Sequence, residues 1–383
     1  WVDVTSALKA DPKSASKIAE SLSSWDKNGV QEFKAVQEKL RGFVNSGQLG
    51  FFANGYWGHP AMKLPPEINL IAVAHYLQAF EIQRKANQIV AILGSKTPHI
   101  QNLAVGGVAN AINPDSQSAL NMERLSMIRS LINELGDFIE NVYLVDVAVV
   151  AAHYAEWLGY GSGVVDYLSV PDFPTDPAGT QFGTPGGYIK DGDVNTFQPI
   201  ESFRSDFFEE GVEESIKHSW YEGDWTRHPY KEETVPGYTD FQDNGKYSWV
   251  KAPNYYGKPA QVGPLANVLA MYAAGHKTTQ KYANLALETA GNLANTKIPV
   301  SALHSTLGRH AARAIRTAVL FEELNKNYKA LINNVASGDI STFNEPTFPK
   351  GTQTGFGFHE APRGTLSHWI VIRDGVIKNY QCV

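Results

Sequence analysis

The sequence contains very little cysteine. Cys382 is the single cysteine among 383 residues, so the chain by itself cannot form an internal disulfide bond or a Cys-rich metal site. One thiol next to the last residue also does not indicate whether the protein works in an oxidising or a reducing compartment.

Long apolar runs are missing too. The stretch from Val142 to Ala152 is interrupted by Asp146 and followed by His153, and a membrane-spanning helix needs roughly 20 apolar residues. The first residues, Trp1-Val-Asp-Val, show neither a Met nor the charged and apolar regions of a signal peptide. We therefore expect a chain that does not itself cross a membrane and that is the inner part of a longer protein.

An excess of positive charge is also absent. The chain has 33 Lys and Arg against 39 Asp and Glu, which gives a net charge of −6. Proteins that bind nucleic acid without sequence preference carry a basic surface, so we expect no nucleic-acid partner. The 43% hydrophobic content is that of a soluble globular protein, and the length is compatible with one large domain or with two or three.

Helical periodicity dominates the first and last thirds of the chain. Asp11-Pro12 predicts a helix start, because Asp can cap free N–H groups and Pro tolerates the first helical position. Apolar residues at helical spacing predict five helical regions, at residues 11–22, 33–44, 66–94, 121–139 and 264–337. The face predicted for the third comprises Leu70, Val73, Leu77, Phe80, Arg84 and Val90.

The remaining segments have a different pattern. Between Gly159 and Pro264, short aromatic and β-branched runs alternate with Gly, Pro and Asp, which is typical of loops and short strands. Asp374-Gly375 between two β-rich runs, Trp369 to Tyr380, predicts a C-terminal β-hairpin. The sequence thus predicts a mainly α fold with minor β: a single large helical domain over residues 1–383 with a loop-rich insertion at 159–264.

The histidines and glycines provide no familiar metal or nucleotide motif. None of the 11 histidines forms a His-x-x-x-His or His-Glu-x-x-His pair. His75 and His153 fall in predicted helices, and we interpret them as hydrogen-bonded core or interface residues. Gly94-Ser-Lys-Thr-Pro-His99 lacks the spacing of a phosphate-binding loop.

Two groups of basic residues are candidates for function. Arg309 and Arg313 share one helix face beside His310, which therefore carries two positive charges, and we interpret it as an ion-paired or interface face. Glu360-Ala-Pro-Arg-Gly364 places Arg363 between Pro362, which fixes φ, and Gly364, which permits a tight turn. A rigidly held guanidinium suits anions or metal-bound ligands, but a structural salt bridge would use the same residues.

Eleven segments together resemble the large subunit of nickel–iron uptake hydrogenases, and the respiratory membrane-bound group fits best. They run in order along the chain and are Ser46-Gly-Gln-Leu-Gly50, Asn54-Gly-Tyr-Trp-Gly-His-Pro60, Leu64-Pro-Pro-Glu67, Lys96-Thr-Pro-His99, Val105-Gly-Gly-Val108, Asn121-Met-Glu-Arg124, Tyr247-Ser-Trp-Val-Lys-Ala-Pro253, Val262-Gly-Pro-Leu265, Ser305-Thr-Leu-Gly-Arg309, Glu360-Ala-Pro-Arg-Gly364 and Tyr380-Gln-Cys382.

The resemblance implies a Ni-Fe(CN)2(CO) centre held by two Cys-x-x-Cys pairs, because soft thiolates suit these metals. Neither pair is in this sequence, so we expect it to be the middle of a large subunit. By the same resemblance, Arg363 is the catalytic residue over the open coordination site and acts mainly by electrostatics. Pro362 shapes the pocket for the cyanide and carbonyl ligands, and Cys382 supplies a backbone carbonyl to a magnesium ion.

The activity that the resemblance implies is the reversible oxidation of dihydrogen to protons and electrons. The expected partners are an iron–sulfur small subunit and a membrane cytochrome b, and the expected location is the periplasmic side of the cytoplasmic membrane, reached through those partners. Three alternatives stay open: a hydrogen-sensing regulatory subunit, the related non-nickel quinone-reductase core subunit of respiratory NADH dehydrogenase, and a helical binding scaffold without chemistry.

Overall fold

The computed structural model describes residues 1–49 and 56–383. Residues 50–55 carry part of the predicted break between Gly50 and Pro66 and part of two of the matching segments. Those predictions lie outside the described residues.

The α-helices of the described residues occur mainly in the first 160 and the last 120 positions, as predicted. Their bounds are α1 (Val4–Ala7), α2 (Pro12–Leu22), α3 (Val30–Asn45), α4 (Pro66–Gly94), α5 (Met122–Phe138), α6 (Leu144–His153), α7 (Asp206–Glu209), α8 (Pro264–Ala273), α9 (Lys277–Leu293) and α10 (Thr306–Ala336).

Capping explains where several of these helices begin. The Asp11 side chain accepts hydrogen bonds from the backbone nitrogens of Lys13 and Ser14, as expected for an N-cap. Asn121 caps α5 in the same way through the nitrogen of Arg124. The predicted helix 121–139 is longer than expected, because a π-helical turn at Ile139–Tyr143 joins α5 to α6 without a break.

Where the structure describes them, the named strands pair with one another in antiparallel fashion. They are β1 (Leu103–Ala104), β2 (Gly107–Val108), β3 (Tyr167–Ser169), β4 (Asp172–Pro174), β5 (Phe182–Thr184), β6 (Gly186–Ile189), β7 (Gln198–Ile200), β8 (Val212–Ser215), β9 (Thr226–Arg227), β10 (Ala252–Tyr255), β11 (Thr352–Ala361), β12 (Gly364–Arg373) and β13 (Val376–Cys382).

The strands form small sheets rather than one large sheet. The three-stranded sheets have the orders β3-β6-β7, β10-β8-β9 and β11-β12-β13, and β1-β2 and β4-β5 pair alone. The predicted hairpin is β12–β13, with Asp374 and Gly375 both at positive φ in the turn. The mainly α fold with minor β is confirmed, and the C-terminal hairpin is extended by a third strand, β11.

The chain divides into two compact units, each built from three segments. Unit 1 comprises residues 1–158, 282–302 and 317–346, and unit 2 comprises residues 159–281, 303–316 and 347–383. The single domain over 1–383 and the insertion at 159–264 stay predictions. The short strands expected between residues 159 and 264 are present, as β3 to β10.

Unit 1 packs α4 against α1, α2, α3 and α5. His75 of α4 is buried, with Nδ1 2.9 Å from Asp146 Oδ1 and Nε2 2.9 Å from Asn28 Oδ1. It is therefore a hydrogen-bonded core histidine, as interpreted from the sequence. The predicted apolar face of α4 is only partly buried: Leu70 is fully buried, but the exposed fraction of Phe80 is 52%.

Unit 2 has a core in which strands meet aromatic side chains. Its buried members are Leu168, Val170, Ile200, Phe208, Val212, Tyr255, Phe358 and Trp369. Trp369 of β12 is completely buried and stacks on Phe356 of β11, with ring centroids 4.8 Å apart. This packing fixes the C-terminal sheet within unit 2.

Among the described residues, no helix is both long and apolar enough to cross a membrane.

Candidate functional site

Pro362 and Arg363 form the two-residue turn between β11 and β12. Ala361 pairs with Gly364 across this turn, so the chain reverses as the sequence predicts. Both side chains of the turn are exposed, and the Arg363 guanidinium has no hydrogen-bond acceptor in the described part of the chain. The hairpin therefore presents a positive charge at its tip.

Two glycines allow a second segment to pack closely behind this turn. A Cβ atom on Gly263 would lie 2.7 Å from the carbonyl oxygen of Arg363, and one on Gly364 would lie 2.5 Å from Val262 Cγ2. Both glycines also have positive φ, 109° and 154°, which other residues rarely adopt. The matching segments Val262–Leu265 and Glu360–Gly364 are thus in direct backbone contact.

A buried carboxylate lies next to the turn. One oxygen of Glu360 accepts hydrogen bonds from the Val170 nitrogen, at 2.8 Å, and from Thr365 Oγ1, at 2.7 Å. Its second oxygen has no hydrogen-bond partner among the described residues. Burial raises the pKa of Glu360, and the hydrogen bond from Thr365 opposes that shift.

A buried arginine holds the end of β11 from the other side. Arg316 of α10 donates to the carbonyl oxygens of Ala361 and Glu360, both at 2.9 Å. Burial lowers the pKa of Arg316, whereas the negative charges of Glu360 and Asp172 raise it. Arg316 is not among the candidates predicted from the sequence. The feature that could have revealed it is a charged residue on an otherwise apolar helix face, between Ala312 and Val319.

Cys382 lies on the edge strand β13 opposite His368. Ser367 and Val383 exchange both backbone hydrogen bonds, so the neighbouring pair His368–Cys382 is a non-hydrogen-bonded pair and the Cys382 carbonyl points away from β12. The thiol is exposed and lies 3.5 Å from His368 Nδ1. The structure therefore keeps the carbonyl out of the β12–β13 ladder.

A buried charged cluster lies beside Gln381. The Lys251 ammonium pairs with the carboxylates of Glu214 and Glu232 and lies 3.0 Å from Gln381 Oε1. Burial, reinforced by Glu232 and opposed by Lys251, raises the pKa of Glu214 to about 7. The cluster was not predicted from the sequence, because the residues that contact Lys251 are 19 to 130 residues away from it along the chain.

Arg309 and His153, two further residues considered in the sequence, make local contacts in the structure. Arg309 donates to Gln261 Oε1, at 2.7 Å, and to the carbonyl oxygens of Gly161 and Ser162. His153 lies 2.9 Å from the carbonyl oxygen of Val149. Arg309 and His153 thus stabilise their own surroundings.

Comparison with known proteins identifies the family. The family model described as nickel-dependent hydrogenase matches residues 1–383.

The chain belongs to the nickel-dependent hydrogenase family.

Two curated members illustrate the similarity. The Hydrogenase-2 large chain of Escherichia coli (strain K12) is 54% identical over 384 residues, which cover 100% of this chain and 68% of that protein. The uptake hydrogenase large subunit of Bradyrhizobium diazoefficiens is 41% identical over 412 residues, with 100% and 67% covered. The chain spans about two thirds of the length of these hydrogenase large subunits.

Solved hydrogenase structures share the fold. The NiFeSe hydrogenase of Desulfomicrobium baculatum has a TM-score of 0.69 at 24% identity, covering 86% of this chain and 63% of that chain. The as-isolated oxidized NiFeSe hydrogenase of Desulfovibrio vulgaris Hildenborough has a TM-score of 0.67 at 26% identity, covering 84% and 61%. The mainly α architecture is thus that of hydrogenase large subunits.

The residues of this chain do not supply the ligand set of a nickel–iron centre. In the described ranges, no three His, Cys, Asp or Glu side chains converge as a metal-binding group, and Cys382 is the single cysteine of the sequence. The roles of Pro362 and Arg363 beside such a centre stay predictions. The Cys382 carbonyl suits a hard cation such as magnesium, but one oxygen does not form a site, so this ligand stays a prediction.

Proposed function

We propose that the protein to which this chain belongs oxidises dihydrogen reversibly to two protons and two electrons. The match of the whole chain to the nickel-dependent hydrogenase family supports this proposal, as do the relatives named uptake hydrogenase. The observation that carries it in the structure is the exposed Arg363 guanidinium on a turn fixed by Gly263, Arg316 and Glu360.

The role that we assign to Arg363 is electrostatic. A nickel–iron centre, when bound, supplies the redox chemistry of hydrogen activation. Next to such a centre, Arg363 would contribute a permanent positive charge and five N–H donors. An arginine guanidinium stays charged in proteins, so forming the neutral guanidine that could accept a proton is costly, and proton acceptance is a minor role at most. Pro362 contributes a rigid apolar wall with a fixed φ.

We further propose that the electrons leave through an iron–sulfur small subunit and reach a membrane cytochrome b on the periplasmic side of the membrane. The names of the relatives, large chain and large subunit, support a smaller partner. A magnesium ion bound through the Cys382 carbonyl is part of the same proposal. A partner kinase in place of a cytochrome would identify the hydrogen-sensing alternative instead.

The quinone-reductase alternative is disfavoured. The nickel-dependent hydrogenase model matches residues 1–383, and the curated relatives described above are hydrogenase chains.

The test is Arg363→Lys in the full-length enzyme with its partner. Lys keeps the charge but loses the planar fork, so we expect hydrogen oxidation to fall by at least about tenfold with unchanged nickel content. Hydrogen uptake and metal analysis measure the two quantities. Arg373→Lys, an exposed arginine at the other end of β12, is the matched control. Wild-type turnover in Arg363→Lys would contradict the proposed role.

A further inference from the structure

Two buried side chains of opposite charge hold the base of the Pro362–Arg363 turn. The exposed fraction is 7% for Glu360 and 4% for Arg316. We propose that Glu360, together with Arg316, is a positioning residue that fixes the location of the Arg363 guanidinium during hydrogen oxidation. This inference rests on the proposed function, because it concerns how Arg363 is held rather than what it does.

Glu360 connects the two strands immediately below the turn. It pairs with Thr365 in the β11–β12 ladder, and its carboxylate also accepts the Thr365 hydroxyl at 2.7 Å. The same oxygen accepts the Val170 nitrogen, at 2.8 Å, so Glu360 ties the hairpin to the segment that follows β3. Hydrogen bonds to an ionised acceptor are shorter and stronger than neutral ones.

Arg316 fixes the two residues that lead into the turn. Its guanidinium donates to the carbonyl oxygens of Glu360 and Ala361, both at 2.9 Å. The guanidinium is desolvated, and the carboxylates of Glu360 and Asp172 are the negative charges that stabilise it. Loss of the Glu360 charge would leave Arg316 with less compensation in a buried place, and its hold on both carbonyls would weaken.

Ala361 and Arg363 are close enough along the chain for a displacement of one to move the other. A single residue, Pro362, separates Ala361 from Arg363, and the φ of Pro362 is fixed. The carbonyl of Arg363 also abuts Gly263, so the turn has little room to adjust. A shift of about 1 Å in a positioned group can cost two orders of magnitude in rate.

The experiment uses Glu360→Gln and Thr365→Val in the full-length enzyme with its partner. Gln keeps the size and an acceptor oxygen but removes the charge, and Val removes only the hydroxyl. We expect kcat to fall by about tenfold in Glu360→Gln and less in Thr365→Val, with KM for hydrogen within about twofold of wild type and unchanged nickel content. Amide hydrogen exchange should become faster in the peptide that contains the turn.

A double-mutant comparison separates positioning from general damage. If Glu360 acts through Arg363, Glu360→Gln should cause no further loss of kcat in the Arg363→Lys background. Glu323→Gln is the matched control, since Glu323 is a buried glutamate of α10 in unit 1 that pairs with Lys326 at 2.5 Å. It should retain the kcat of the wild type.

The outcomes are distinguishable. Two outcomes would overturn the positioning role alone. In the first, the double variant loses kcat by the product of the two single losses. In the second, Glu360→Gln keeps the wild-type kcat although Arg363→Lys lowers it. A full-length wild-type protein with its metals in place that does not oxidise hydrogen would overturn the proposed function. The positioning role would also be overturned if amide hydrogen exchange in the turn peptide of Glu360→Gln were as slow as in the wild type.

Discussion

Cys382 presents its carbonyl and its thiol to different surroundings. The carbonyl points away from β12 because the adjacent pair Ser367–Val383 exchanges both backbone hydrogen bonds, which leaves His368–Cys382 as a non-hydrogen-bonded pair. The thiol lies on the exposed face of the sheet beside His368. A hard cation prefers the oxygen to the sulfur, so the residue type at position 382 should matter little for magnesium.

Cys382→Ser tests this separation. Serine is close in size and keeps the backbone carbonyl, so we expect magnesium content and hydrogen oxidation of the full-length enzyme to remain within about twofold of wild type. Metal analysis and hydrogen uptake are the measurements. A loss of activity as large as that of Arg363→Lys would mean that the thiol itself takes part.

At the scale of elements, the contact between the start of α8 and the β11–β12 turn is made by backbone atoms. Gly263 precedes Pro264, the first residue of α8, and faces the Arg363 carbonyl. No side chain can be inserted there without moving the turn. This explains why a glycine is required at this point, independently of its positive φ.

Gly263→Ala and Gly257→Ala separate the two effects. Both glycines have positive φ, but a Cβ on Gly257 would meet no atom within 4 Å. Gly257→Ala should therefore destabilise the protein by about 1 kcal/mol, from backbone strain alone. Gly263→Ala should cost about 2 kcal/mol more and reduce hydrogen oxidation, since its Cβ would displace Arg363.

Denaturant unfolding and hydrogen uptake of the two full-length variants provide the measurements. If Gly263→Ala and Gly257→Ala were equally destabilised and equally active, the contact between Gly263 and Arg363 would not limit the size of the residue at position 263.

At the scale of the whole molecule, the buried cluster of Lys251, Glu214 and Glu232 connects stability to pH. Burial raises the pKa of Glu214 to about 7, from an ordinary value of 4.5. The folded state thus binds this proton more tightly than the unfolded state does. The corresponding stabilisation is complete below about pH 4.5 and is lost as the pH rises through about 7.

Glu214→Gln should flatten this pH dependence. Between pH 5 and pH 8, the free energy of unfolding of the wild type should fall relative to that of the variant, by on the order of 2 kcal/mol. Chemical denaturation of both proteins at several pH values measures the difference. Glu213→Gln changes the next carboxylate on β8 and serves as the control. The same change of slope in both variants would show that the effect does not come from position 214.

Local features of this protein could be predicted from its residues, because they depend on near neighbours along the chain. Helix α2 starts at Asp11-Pro12 because capping and a fixed φ act within a few residues. Asp374-Gly375 set the hairpin turn because both positions need positive φ. The tight turn at Arg363 follows in the same way from its immediate neighbours. The family resemblance could also be recognised from the sequence, since it depends on the order of short motifs along the chain and not on their positions in space.

Contacts between residues far apart in the sequence depend on how the whole chain packs. Arg316 and Glu360 are 44 residues apart, and Gly263 and Arg363 are 100 apart, so no local pattern predicts these contacts. Strand β11 contains Gly355 and Gly357, which weaken a strand signal, and it exists because β12 supplies its hydrogen-bond partners. Burial likewise depends on neighbours: Phe80 belongs to the predicted apolar face of α4 yet is exposed. Long-range packing, rather than propensity, determined how the turn that carries Arg363 is held.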